Sequence, residues 1–248
     1  MNIREFSILD LLKPEILIKT PDYLLLYKPP RIHSAPGKGK SLTEWLAEEI
    51  PETGKFESNE RGLVHRLDYE TQGLVLFAAN QKIFEILKKE QARGSLVKEY
   101  GALVSKTRDR PEGFPLFNDE LLSKEFPKHI QSSFRPYGPG RKEVRPVFKA
   151  PLPEISDPRL YDTEILGQNL SSREGIWGLS LRIKKGFRHQ LRCHLAWAGF
   201  PIINDPLYGG EKTGKGFLAL RAEAIEFEDP SNNEIWRYVL PPLDPDDI

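Results

Sequence analysis

R-G-L-V-H-R-L-D-Y-E-T-Q-G-L-V-L-F-A, residues 61–78, sets two apolar runs on either side of one polar turn. Leu63-Val64 and the run from Gly73 to Ala79 read as two strands, and HRLDYETQ between them as the turn that joins them. Asp68 therefore sits in a turn between strands. Taken alone it is a turn residue, because aspartate side chains accept hydrogen bonds from nearby backbone amides. Arg66, two residues earlier, shares its face if the stretch is extended, and an ion pair without function is the plain reading of the two.

Outward from this segment the pattern is mixed. Tyr23 to Tyr27 is an apolar run ended by Lys28-Pro29-Pro30, a buried strand meeting a turn. Ser41 and Glu44 form a capping box ahead of Leu42, Trp45, Leu46 and Ile50, which predicts an amphipathic helix. Asn80 caps a second helix whose Ile83, Phe84, Ile86 and Leu87 share a face, and Gly94 stops it. Residues 100–104, Y-G-A-L-V, read as a strand. Trp177, Leu179, Leu181 and Ile183 alternate with Gly178, Ser180, Arg182 and Lys184, a half-buried strand with a basic outer face. His189 to Ala198 is helical and Gly199 closes it. Between Ser105 and Val147, six prolines and three glycines predict little regular structure, a mobile arm or long loops. Strands and helices do not alternate strictly, so the expected class is α+β, with a mixed, mostly antiparallel sheet flanked by helices and loops.

The chain of 248 residues is 39% hydrophobic, enough for a packed core. Its single cysteine, Cys193, excludes an intramolecular disulfide and fits a reducing compartment. The start MNIREFSILD lacks the layout of a signal peptide, so the cytoplasm is expected. No apolar run approaches the ~20 residues of a membrane span. Lys+Arg and Asp+Glu are equal at 36 each, so any nucleic-acid affinity must come from where charge sits. Arg182, Lys184, Lys185, Arg188 and Arg192 form a stretch without a carboxylate, whereas the tail from Glu223 to Asp247 is rich in acids. Ordinary solvated charge is the rival reading. Gly39-Lys40-Ser41 lacks the first glycine of a phosphate loop, since Ser34 stands there, and His189 and His194, five apart on a helix, diverge too far to share a metal.

Three segments in order carry a resemblance: residues 61–78, then K-E-Y-G-A-L-V at 98–104, then K-K-G-F-R-H-Q-L-R-C-H-L-A-W-A-G-F-P-I-I-N-D-P-L-Y-G at 184–209. Together they resemble the RluA-type pseudouridine synthases, with H-R-L-D-x-x-T-S-G, K-x-Y and G-R-x-H-Q-I-R-x-H-L-x-x-x-G-x-P-I-x-G-D-x-x-Y-G. Weaker similarity reaches back to Tyr27-Lys28-Pro29-Pro30 and on to Trp236–Leu240 with Pro241. The resemblance implies the pseudouridine synthase catalytic fold over residues 21–243, with residues 1–20 as an N-terminal extension, too short a stretch for the S4-like domain that many relatives carry, so none is expected. It also implies Asp68 as the essential carboxylate, Arg66 as the arginine that takes the place of the flipped base, Tyr100 as the tyrosine packing on the uracil, and Arg192 as the arginine that pairs with the aspartate. An opposite charge within ~4–6 Å would hold that carboxylate ionised.

Phe187-Arg188 departs from the motif by moving or losing its first arginine, and Gln72, Arg31 and Asn204 replace the usual Ser, Gly and Gly. The chain is read as a divergent member.

The implied reaction breaks the bond from ribose to uracil nitrogen 1, turns the base and rejoins it through carbon 5. It needs acid, base and geometry, so no cofactor or metal is expected. The implied partner is RNA, tRNA or rRNA, bound by a monomer without a membrane. Arg182, Lys184, Arg188 and His189 are the expected RNA contacts, with Arg141, Lys142 and Arg145 beside them. A catalytically inactive RNA-binding or ribosome-assembly protein on the same scaffold is the rival class. A small-molecule hydrolase joining Asp68 to a histidine ranks last, for want of a triad motif.

Overall fold

A computed structural model describes residues 1–8, 10–37, 39–51, 56, 60–117, 126–147, 159–170 and 174–248. The chain forms two compact units, Met1–Tyr100 with Arg221–Pro242, and Gly101–Leu220 with Leu243–Ile248.

In the first unit, β3 (Tyr23–Lys28) is buried at every position and runs antiparallel to β4 (Gln72–Ala78), with Lys28 opposite Gly73. Strand β2 (Glu15–Lys19) flanks β3 antiparallel, and β10 (Leu220–Glu228) flanks β4 parallel. Strand β11 (Ile235–Val239) pairs antiparallel with β10, and β1 (Asn2–Glu5) lies parallel to β11. Residues 1–20 are thus no extension. They supply two strands, and Phe6, Ile8, Leu11 and Leu17 pack on the core, because apolar side chains at these positions have a sheet to cover. Gly73 lies at φ 122, and a Cβ there would overlap the backbone of Ala222, so the close β4–β10 approach requires glycine.

Helix α1 (Leu42–Glu49) starts with the expected capping box: Ser41 Oγ accepts from Glu44 N at 3.2 Å and Ser41 N donates to the Glu44 carboxylate at 3.1 Å. Helix α2 (Gln81–Arg93) is capped by Asn80 and ended by left-handed Gly94. Its Ile83 and Leu87 join the core of Leu25, Tyr27, Val64 and Leu76. The expected strand at Leu63-Val64 is only a bridge from Leu63 to Phe77, extended by Val64 N to Leu76 O at 3.0 Å. Arg61 and Gly62, both at positive φ, bring the chain in sharply, and the turn bends it away again by His65.

Strand β5 (Val97–Ser105) carries the chain from the first unit into the second. There β8 (Tyr161–Leu170) pairs antiparallel with β9 (Ile176–Ile183) and with β6 (His129–Tyr137), and β6 pairs antiparallel with β7 (Glu143–Val147). The stretch 105–147 therefore holds a hairpin that its proline content hid. Among the described residues β7 pairs only with β6, which tolerates Pro146, and β6 meets β8 only from His129 to Ser132, which tolerates Pro136. Helix α3 (Gln190–Ala198) is buried along its whole length, beginning at His189 (φ 56) and ending at Gly199 (φ 87). No helix among the described residues is long and apolar enough to cross a membrane.

Candidate active site

Asp68 occupies the turn between the Leu63 bridge and β4, half-buried, with Leu67 buried before it and Arg66 exposed. The turn is fastened residue by residue. Ser34 Oγ donates to Leu67 O at 2.8 Å and accepts from Leu67 N at 3.0 Å. Thr71 N closes on Asp68 O at 3.1 Å, and Arg31 N donates to Tyr69 O at 2.8 Å. The Tyr69 ring rests on His33 at 4.7 Å between centroids. The backbone that carries Asp68 is thus fixed from both sides, which suits a residue that must present a catalytic base or nucleophile.

Lys28, at the end of β3, is wholly buried beneath this turn. Its Nζ donates to Pro29 O at 2.9 Å, Ile32 O at 2.8 Å and Tyr69 O at 3.3 Å, using all three ammonium hydrogens. Burial pushes the amine down to about 7, against the pull of the Asp68 and Glu70 charges. Three carbonyls that can only accept favour the ammonium. Tyr100, the expected uracil-packing residue, is buried, and burial followed by the Asp68 charge raises its hydroxyl well above the usual range. Asp68, Lys28 and Tyr100 thus share one electrostatic neighbourhood. Behind them, His65 is buried and kept neutral by burial and by Lys98 and Lys88, while its Nε2 accepts from Leu76 N at 3.3 Å.

In the second unit, Arg192 lies on α3 with its guanidinium 2% exposed. Its Nε and Nη2 each donate to Asp205 at 2.8 Å, a two-pronged pair. Asp205 also accepts from Leu207 N at 2.8 Å and Tyr208 N at 3.1 Å, so the carboxylate is fixed by the loop that follows α3. The carboxylate holding the Arg192 fork is therefore Asp205, which the motif contains but to which the sequence assigned no role. Tyr208 Oη accepts from Val144 N at 2.9 Å and forms a second hydrogen bond with His189 Nδ1 at 3.1 Å. Burial followed by Arg192 and Arg188 pushes His189 down to about 3, which keeps it neutral.

The expected RNA contacts differ in state. Lys184, Arg188, Arg141 and Lys142 are exposed, whereas Arg182 meets Glu164 at 3.5 Å and Arg145 lies over the Tyr137 ring. Lys28, Ser34 and Tyr208 were missed because lysine, serine and tyrosine are common at surfaces. The two prolines after Lys28 and the D-P-L-Y-G run were the only marks on them.

His194 faces inward. Its Nε2 meets Ser132 Oγ at 2.9 Å and its Nδ1 meets Thr163 Oγ1 at 2.8 Å, in a fully buried position. With both nitrogens on hydroxyls it shares no ligand with His189. Burial pushes His194 down to about 3, while in the unfolded chain it titrates near 6.5. Between those values the unfolded state binds the extra proton, so stability is full above pH 6.5 and falls as pH drops toward 3. Urea unfolding at pH 6.5 and 5.5 should differ by ~1 kcal/mol from this residue, and His194→Gln should remove that share. An unchanged pH dependence in the variant would contradict it.

Comparison with known proteins places this geometry. Residues 22–197 match the family model described as RNA pseudouridylate synthase. An uncharacterized RNA pseudouridine synthase of Helicobacter pylori J99 is 29% identical over 239 residues, covering 94% of this chain and 67% of that protein. The ribosomal large subunit pseudouridine synthase C of Pasteurella multocida is 28% identical over 247 residues, covering 95% and 66%. The structure of human RNA pseudouridylate synthase domain containing 1 superposes with a TM-score of 0.65 at 20% identity, covering 94% of this chain and 84% of that one. The α+β fold is thus that of the pseudouridylate synthases. The chain belongs to the RNA pseudouridylate synthase family, within the RluA type, and its reaction is the isomerisation of uridine in RNA to pseudouridine.

Proposed function

We propose that this synthase modifies a uridine of ribosomal or transfer RNA in the cytoplasm, as a monomer, with Asp68 as the catalytic carboxylate. The observation that carries the assignment is the aspartate turn held by Ser34, Arg31 and Lys28, with Tyr100 in the field of its charge. Ribosomal RNA is favoured over transfer RNA by the relatives named for the large ribosomal subunit.

In this reading the target uridine leaves its stack at a cost of a few kcal/mol, and exposed Arg66 fills the vacancy and offsets part of that cost. The flipped uracil packs on Tyr100 while Asp68 acts on the ring, on the anomeric carbon, or on the ribose hydrogen at carbon 2′. By the family motif Arg192 is a further catalytic residue, and within the second unit its guanidinium is kept in place by Asp205. Lys184, Arg188, His189 and Arg182 are the residues of the second unit assigned to RNA in this reading, of which Lys184 and Arg188 are exposed.

Mapping pseudouridine in ribosomal and transfer RNA of cells lacking the protein tests the proposal. Loss of a site in ribosomal RNA, restored by the wild-type gene, is the expected result. Loss confined to transfer RNA would replace the substrate. An unchanged map in both would favour the inactive RNA-binding alternative.

A further inference from the structure

The hairpin β6–β7 and the residue at the motif's departure, Arg188, meet at one place. The turn between the strands carries Gly138 (φ 77), Gly140 (φ 68) and Arg141 (φ 53), all left-handed, and Arg141 pays for that conformation where a glycine would not. Arg188 Nη2 donates both to Arg141 O and to Glu143 O, the latter at 3.1 Å. One guanidinium nitrogen thus bridges two carbonyls across the bend. Beside it, Phe187 stacks on Phe134 of β6 with centroids 5.0 Å apart and planes at 8°. The Phe-Arg pair that departs from the family motif is therefore matched to the hairpin: the ring holds its base and the arginine its tip.

The tip itself is cationic. From Arg135 to Arg145 there are four basic residues and one acid, Glu143. Arg145 is spent on the Tyr137 ring and on Gly113 O at 3.5 Å, whereas Arg141 and Lys142 are exposed and form no ion pair among the described residues. In a chain of zero net charge, a rigid bend presenting two unneutralised cations fits a polyanion backbone.

We propose that the β6–β7 tip grips substrate RNA through phosphate contacts from Arg141 and Lys142, and that Arg188 is the positioning residue that locks the tip rather than a phosphate ligand. The proposal rests on the RNA contacts assigned to the second unit under the proposed function. Arg188 acts through the hairpin: without its bridge the left-handed bend relaxes, and the two cations no longer sit at a fixed spacing.

The variants separate charge from clamp. Arg141→Gly keeps the carbonyl that Arg188 holds and suits the positive φ, so with Lys142→Met it removes only cations. Arg188→Met removes the clamp and keeps both cations. The probe is an unmodified transcript of large-subunit ribosomal RNA, with binding measured from 50 to 200 mM salt. The Arg141→Gly/Lys142→Met pair should flatten the salt slope by about 1.5, two contacts at ~0.7–0.9 each, and weaken binding at least ~10-fold at 50 mM salt. Arg188→Met alone should speed amide exchange of residues 138–143 in the protein without RNA. In the Arg188→Met background the charge pair should cost less than ~3-fold, because the spacing is already lost. An unaltered salt slope in the charge pair overturns the grip. Unaltered exchange in Arg188→Met, or fully additive effects on binding, overturns the clamp. Release of tritium from uridine carbon 5 by the wild type on the same RNA keeps either failure distinct from failure of the enzymatic reading.

Discussion

Asp68→Asn is expected to abolish release of tritium from RNA labelled at uridine carbon 5, with a fall in rate of at least ~10³-fold. Joining ribose to carbon 5 expels the hydrogen there, so the label follows the isomerisation itself. The substitution keeps size and a hydrogen-bonding oxygen but removes the negative charge, and an amide serves poorly as nucleophile or base. The fold should be almost indifferent. The bond that closes the turn runs from Thr71 N to the main-chain oxygen of residue 68, which asparagine retains, so the cost should stay near ~1 kcal/mol. RNA affinity should change by no more than a few fold. Full tritium release by a well-folded Asp68→Asn protein would show that the aspartate is only a turn residue.

Lys28→Met is expected to lower kcat by ~100-fold while leaving KM within a few fold. Methionine fills the volume and removes a buried charge whose desolvation opposed folding, but it leaves the carbonyls of Pro29, Ile32 and Tyr69 without their shared donor. These effects oppose one another, so the stability change should be modest, ~2 kcal/mol by urea unfolding. Activity should suffer more than stability. The Tyr69 carbonyl adjoins Asp68 in the chain, and a shift of about 1 Å in a catalytic group is enough for a ~10²-fold loss. Lys28→Arg should not rescue, because a guanidinium exceeds a fully buried amine site. A wild-type kcat in Lys28→Met would place Lys28 outside the positioning of Asp68. A rise in KM with unchanged kcat would assign it to binding instead.

Much of this protein was legible in one dimension because the deciding signals were local. The capping box at Ser41 and Glu44, the cap at Asn80 and the stop at Gly94 depend on residues three or four positions apart, and all recur in the structure. The strand around Tyr23–Tyr27 is apolar at every position because both of its faces are covered, a property of the run itself. The family motifs likewise fixed the class of reaction, since they name residue types at set spacings. The hairpin at 129–147 was hidden because proline is normally excluded from strands, and only the finished sheet shows that Pro136 and Pro146 fall where no further strand is paired. The apolar positions of residues 1–20 follow no sustained alternation, and two segments of this stretch become strands because β3 and β11 offer edges to pair with. What holds each charged group was decided in three dimensions. Lys28 takes its meaning from a carbonyl 41 residues away, and Arg192 from a carboxylate 13 residues on. A buried charge must find its partners wherever the chain brings them. Sequence spacing records which groups are present, and the fold alone decides which of them can share the low-dielectric space where such partners count most.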